Sequence, residues 1–294
     1  MQTITLWTGK RPAPWTMPFS LKLHLWSRSR LPGTGGARII SRALLAAVAV
    51  TLAGICAATG AKTAAGASVS GAIERADAYY QHRSDLENVR KALAIVQAEA
   101  AKNPQSYAAW WRIAEYDCYL ARHLPDNQQI PVLEEGVKAG KKAETLEPSR
   151  PEGHFWTGTD QGLLGEDRGL WGGLHLIDPV RDEMQTVLKL DPDYQEDGAE
   201  RVLGRLYYEA PFFKGGDKNL SVRVLQHCLK RFPGNSLTML YLADSYRSTG
   251  RREQARKLLE KMLTLRPTPA DAPELADNQA DARRELKKYF HQDG

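Results

Sequence analysis

No acidic residue occurs before Glu74, although the chain of 294 residues carries 35 aspartates and glutamates. The same stretch holds Lys10, Arg11, Lys22, Arg28, Arg30, Arg38, Arg42 and Lys62, so the net charge of +5 belongs to the leader and the remainder is net acidic. A nucleic-acid binder keeps a basic face on its folded domain, and this distribution argues against one. Cysteine is scarce: Cys56, Cys118 and Cys228 form no CxxC and have no fixed histidine partner. Cys118 and Cys228 therefore read as small core residues in different helices, with no structural zinc expected. No G-K-[ST] follows the glycine-rich stretch 162–178 and no strand precedes it, so Gly165, Gly169, Gly172 and Gly173 serve close contacts and turns and bind no phosphate. No H-E-x-x-H or other two-histidine helical spacing is present. Neither a catalytic cofactor nor a metal ion is expected.

What is present begins with an apolar stretch, Ala43 to Ala61, uncharged and rich in Ala, Leu and Val, placed after Arg38 and Arg42. Positive charge before such a stretch puts the N-terminus in the cytoplasm and the following domain outside. The stretch reads as an export signal with an A-x-A cleavage point at Ala65, Gly66 and Ala67, or as a retained membrane anchor near the lower length of a span. Cys56 invites a lipoprotein reading, but Ile55 stands where a lipobox needs a small residue. Two regions are expected: a leader over 1–67 and a helical domain over 68–294. The domain is expected in the periplasm, soluble after cleavage or tethered.

Within the domain, Leu242, Ala243, Tyr246, Gly250, Ala255, Leu259 and Pro267 reproduce the tetratricopeptide pattern. Small residues at Ala243 and Ala255 let two antiparallel helices approach, Gly250 turns the chain, and Pro267 stops the second helix. Comparable prolines stand at Pro104, Pro148, Pro192, Pro233 and Pro267, at intervals of 44, 44, 41 and 34 residues. Leu203, Gly204 and Tyr207 repeat Leu242, Ala243 and Tyr246, and Ile113 with Ala114 and Thr157 with Gly158 occupy the same places more weakly. From these small residues to second-helix anchors at Gly136, Val180, Ser221 and Ala255 the separations are 22, 22, 17 and 12 residues. The expected fold is all-α: a right-handed solenoid of five tetratricopeptide-like hairpins with insertions between paired helices and a capping helix over Pro273 to Phe290. Insertions gathered on one edge of a solenoid are commonly where binding occurs.

Local signals refine this. Ser84 and Glu87 have capping-box spacing before the stripe Leu86, Val89, Leu93 and Val96. Pro125 and Pro131 are read as a connection before a helix from Val132 to Leu146. Phe212 and Phe213 lie in a Gly-rich turn, where they either fold back over the stack or form an interface with another chain. Residues one turn apart on the first helix of each unit are expected to face a groove, offset from the packing seam: Trp111 and Glu115, Phe155 and Thr159, Arg201 and Arg205, Leu240 and Asp244. The aromatics offer apolar area and the arginines a fork for a carboxylate, unless they merely pair with nearby acids.

Several segments together resemble the T-component (TatT-like) family of tetratricopeptide-associated TRAP transporters: Tyr79-Tyr80 running to Asn103-Pro104, Trp111-Arg112-Ile113-Ala114, Glu152-Gly153-His154-Phe155-Trp156, Val202 to Pro211, and Gly215-Gly216-Asp217. That resemblance implies an exported oligomeric protein without a catalytic cofactor. It would work beside a periplasmic solute-binding subunit that feeds organic acids or other small ligands to a permease. A generic envelope adaptor that binds a partner protein is the alternative. The rival from another class is an exported hydrolase using His154 and Asp160, motivated only by local crowding of polar groups.

Overall fold

The computed structural model describes residues 71–269 and 271–290. The leader, the apolar stretch 43–61, Cys56, the 65–67 cleavage pattern and the 67/68 boundary lie outside the described residues. Helices follow in antiparallel pairs: α1 (71–80) with α2 (Leu86–Lys102), α3 (Tyr107–Arg122) with α4 (Asp126–Leu146), and α5 (Pro151–Gly173) with α6 (Ile177–Leu190). Then come α7 (Gly198–Glu209) with α8 (Lys218–Arg231), α9 (Ser236–Ser248) with α10 (Arg252–Leu263), and a final α11 (Ala272–Phe290). Short 3₁₀ turns stand at Leu174–Leu176 and Phe212–Lys214. The described residues contain no strand, and none of their helices is long and apolar enough to cross a membrane.

The prolines set the rhythm through the residue before them. A proline pushes its predecessor out of the α region towards extended backbone. Asn103, Glu147, Asp191 and Phe232 precede Pro104, Pro148, Pro192 and Pro233, and their φ values of −128°, −140°, −154° and −123° end α2, α4, α6 and α8. Each still donates its N–H four residues back, to the carbonyls of Glu99, Ala143, Val187 and Cys228 at 2.8 to 2.9 Å. The same ending, repeated, closes each of these second helices before the next first helix begins.

The two helices of a pair are buried differently. Second helices bury one stripe, such as Ile177, Val180, Met184 and Val187 on α6 or Ala255, Leu259 and Met262 on α10. First helices are enclosed on nearly every side: Ser236 to Tyr246 are all buried on α9, and most of α3 from Ile113 to Ala121 is too. A helix buried all round belongs to an inner layer. Close approach depends on the small first-helix residues. A Cβ on Gly204 would lie 2.7 Å from Leu225 Cγ, so α7 and α8 touch at a distance that only glycine permits there.

Four local expectations are corrected. Asp85, not Ser84, caps α2, accepting from the Glu87 N–H at 3.0 Å. The extra length is mostly helix: only His123, Leu124 and Pro125 separate α3 from α4, while α4 has 21 residues and α5 has 23, kinked at Gly169 (φ 71°). Helix α4 starts at Asp126 and takes in Pro131 as its sixth residue, where the missing N–H costs one rung of the hydrogen-bond ladder in a helix of 21 residues. Phe212 and Phe213 do not fold back over the stack; they are 92% and 72% exposed.

Helix α11 caps the last pair as expected, with the Gln279 amide donating to the Met262 and Leu265 carbonyls at 3.1 Å. It also reaches the other end of the solenoid. Arg83, in the turn between α1 and α2, donates from Nε and Nη2 to Glu274 at 2.6 Å each, both side chains being buried. His123 meets Asp277 at 3.1 Å, and Asn278 donates to the Ser236 hydroxyl at 2.8 Å.

Candidate functional site

Helix α7 unites the two features the sequence singled out, its inner side bearing Arg201 and Arg205 and its end leading to Phe212 and Phe213. Just before it, Gln195, Glu196 and Asp197 take φ of 56°, 55° and 58°, three successive left-handed residues without a glycine. Such a turn is costly by itself. Arg201, wholly buried, donates from Nη1 to the Glu196 carbonyl at 2.8 Å and from Nη2 to the Gln195 carbonyl at 2.9 Å. Arg201 is thus a clamp for the turn. One helical turn on, Arg205 donates to Asp244 on α9 at 2.9 Å and pairs with Glu209 at 2.6 Å and with Glu166 on α5 at 3.6 Å. The Tyr208 and Tyr241 rings lie 5.0 and 4.8 Å from its guanidinium carbon. Despite its burial, these acids hold Arg205 firmly protonated.

The other residues expected to face a groove lie on the same inner layer. Trp111, Glu115, Phe155, Thr159, Leu240 and Asp244 are all buried, so the expectation that they stand apart from the packing seam is corrected. Phe155 packs edge-on to Trp156 and Tyr194, and Thr159 donates to the Phe155 carbonyl at 2.8 Å. Trp111 carries the Arg112 guanidinium over its ring at 4.1 Å, and Arg112 is forked onto Asp77 at 2.7 and 2.8 Å. Neighbouring helices close over these positions, where a straight ladder of repeats would leave a trough.

Burial makes this layer unusually rich in weakened acids. It pushes Glu115 up to about 8, and Asp117 up to about 8 with help from Glu135. Asp160 is raised by burial and then by Asp117, and a Cβ on Gly136 of α4 would strike its carboxylate. Its companion in the hydrolytic reading faces elsewhere. His154 Nδ1 meets Glu183 on α6 at 2.8 Å and Nε2 meets the Pro148 carbonyl at 3.1 Å, so both ring nitrogens are engaged. The Glu183 hydrogen bond raises the His154 pKa, which suits a packing cation more than a base poised to accept a proton. His154 and Asp160 are not brought together.

The corner after α7 is outward-facing and rigid. The Lys214 N–H donates to the Pro211 carbonyl at 2.9 Å, Gly215 to Phe212 at 3.0 Å, Gly216 to Pro211 at 3.0 Å and Asp217 to Tyr207 at 2.9 Å. A Cβ on Gly216 would sit 1.8 Å from the Ala210 carbonyl oxygen, so the chain can double back here only with glycine. The Asp217 carboxylate caps α8 by accepting from the N–H groups of Asn219 and Leu220. From the preceding pair, Arg181 donates to the Lys214 carbonyl at 2.7 Å and Asp178 accepts from Lys214 Nζ at 2.8 Å. Two phenylalanines are therefore held in solvent by a built loop. The supports Asp178 and Arg181 were missed in the sequence; their spacing to Lys214, close to one repeat, was the signal available.

Comparison with known proteins agrees with this architecture. The tetratricopeptide repeat family model matches residues 237–268, the α9–α10 pair. No curated protein matches the sequence. Among solved structures, a thermophilic TPR protein of Thermus thermophilus is similar over 73% of this chain and 98% of its own, at TM-score 0.53 and 17% identity. PilW, described as a widely conserved type IV pilus biogenesis factor, aligns over 76% of this chain and 94% of its own at TM-score 0.49 and 18% identity. MamA aligns over 70% of this chain and 95% of its own at TM-score 0.41 and 13% identity. The described chain has the fold of a tetratricopeptide-type helical-repeat solenoid.

Proposed function

We propose that this protein is a non-enzymatic adaptor that binds a partner polypeptide, with Phe212 and Phe213 as the anchor. The carrying observation is the pair's exposure on a loop whose backbone is fixed on both sides. Aromatic side chains held in place lose little conformational entropy on binding and bury large area, which is how hot spots arise. The inner layer, in contrast, already spends its charges internally, Arg205 on Asp244 and Glu209, and Arg83 on Glu274. Tetratricopeptide-type solenoids commonly present their partners with an extended surface. In this reading the apolar stretch 43–61 exports or tethers the domain, so that the partner is met outside the cytoplasm. Changing Phe212 and Phe213 to Ala should abolish partner capture while the melting temperature stays put.

A narrower reading makes the partner the solute-binding subunit of a TRAP-type uptake system. It is supported by the resemblance of the segments around Phe155-Trp156 and Gly215-Gly216-Asp217. Pull-down with a purified TRAP solute-binding subunit separates it from the general adaptor: the narrower reading expects capture by the wild type and its loss when Phe212 and Phe213 are changed to Ala.

A further inference from the structure

We propose that Asp197, Glu200 and Cys228 form a zinc site that staples the start of α7 to the last turn of α8, at the end of the hairpin away from the Phe212–Phe213 corner. A ligand atom from each of the three lies within 4.8 Å of the others. Asp197 is the residue before α7, Glu200 stands one turn into that helix, and Cys228 faces them from α8.

The first argument is an unsatisfied acceptor. Asp197 has no exposed surface, and while one carboxylate oxygen takes the Arg231 guanidinium, Oδ2 has no hydrogen-bond partner. A buried carboxylate oxygen without a donor requires an explanation, and a bound cation is one. The second argument is spacing. Cys228 Sγ stands 3.7 Å from Glu200 Oε2. Ligands held at about 2.3 Å (sulfur) and 2.0 Å (oxygen) on a tetrahedral zinc are about 3.5 Å apart. His227, next to Cys228, adds a third point, its Nδ1 meeting Glu200 Oε2 at 2.7 Å and orienting that carboxylate from outside.

Chemistry selects the metal. A thiolate among the ligands favours a borderline-soft ion over magnesium or calcium, which take oxygen only. Binding displaces the Cys228 thiol proton to solvent, leaving three anionic ligands around a doubly charged ion. The guanidinium of Arg231 and that of the buried Arg201 nearby offset the remaining negative charge. The sequence hid the site because Cys228 stands about 30 residues beyond the pair Asp197 and Glu200, in the second helix of their hairpin.

The test is titration of the full, reduced chain with cobalt(II), read by near-ultraviolet thiolate-to-cobalt charge transfer, followed by displacement with zinc. One equivalent of cobalt should develop the band and one of zinc should remove it. The band should persist in Cys118→Ser and vanish in Cys228→Ser, with Cys56 unchanged in both. Glu200→Gln, at a partly exposed position that leaves folding intact, should weaken zinc by at least about tenfold. No charge transfer in the wild type, a band that survives Cys228→Ser, or wild-type zinc affinity in Glu200→Gln would overturn the assignment.

Discussion

Arg83 and Glu274, separated by 191 positions, form a forked, buried ion pair that ties the first interhelical turn to the last helix. Contacts in a solenoid usually run between neighbouring repeats, so this one makes the ends depend on each other. Removing one partner of a buried pair strands the other charge, at a cost of about 3–5 kcal/mol. Glu274→Gln should therefore lower stability by about that amount in urea denaturation. Replacing both residues, Arg83→Met with Glu274→Leu, should recover most of the loss, because well-packed apolar groups often substitute for such pairs without penalty.

The buried acids give the protein a pH dependence opposite to the common one. Burial holds Glu115 at about 8 and Asp117 at about 8, and burial followed by the Asp244 charge holds Glu285 at about 7. In the unfolded chain they ionise near about 4. Between those limits the native state binds more protons than the unfolded state, so stability falls as pH rises through the window. Each unmatched proton contributes about 1.4 kcal/mol per pH unit. The urea midpoint should be higher at pH 5.5 than at pH 8, and the slope should flatten in Glu115→Gln with Asp117→Asn. A midpoint that rises towards pH 8 would show that these acids are ionised in the folded state.

Arg201 is expected to matter for folding more than for ligands. Losing its two bonds to the Gln195 and Glu196 carbonyls should cost about 3 kcal/mol in Arg201→Met, since charge-assisted bonds contribute about 1.5–3 kcal/mol each and partly regain water when broken. Gly204→Ala should cost about 1–3 kcal/mol by forcing Leu225 away from α7. Thermal melts of the two variants, compared with Phe212→Ala, separate packing from surface positions.

The contrast between those positions shows which parts of the molecule the sequence discloses. Prolines, small first-helix residues and the Tyr207 and Tyr246 places are local and repeated, so they locate helix ends and close contacts from spacing alone. Pro131 misleads because a proline near a helix start looks like one that breaks it. Arg201 and Arg205 occupy helix positions that a regular ladder would turn to a trough, and only three-dimensional packing reveals the carbonyls and acids waiting for them. The pair Arg83 and Glu274 has no sequence signal at all, since nothing periodic connects positions so far apart. Phe212 and Phe213 are legible as unusual, but whether they point in or out depends on Arg181 and Asp178 from the preceding pair.

The central claim is that the corner after α7 binds another polypeptide, and site-specific photo-crosslinking in intact cells tests it most directly. A photoreactive residue in place of Phe213, with Phe212 retained, should yield a discrete adduct with one other polypeptide, and the adduct should be lost when Phe212→Ala is added. The same probe in place of Lys257, exposed on α10, should yield none. No adduct at 213, an adduct only with a second copy of the chain, or equal adducts at 213 and 257 would contradict the account.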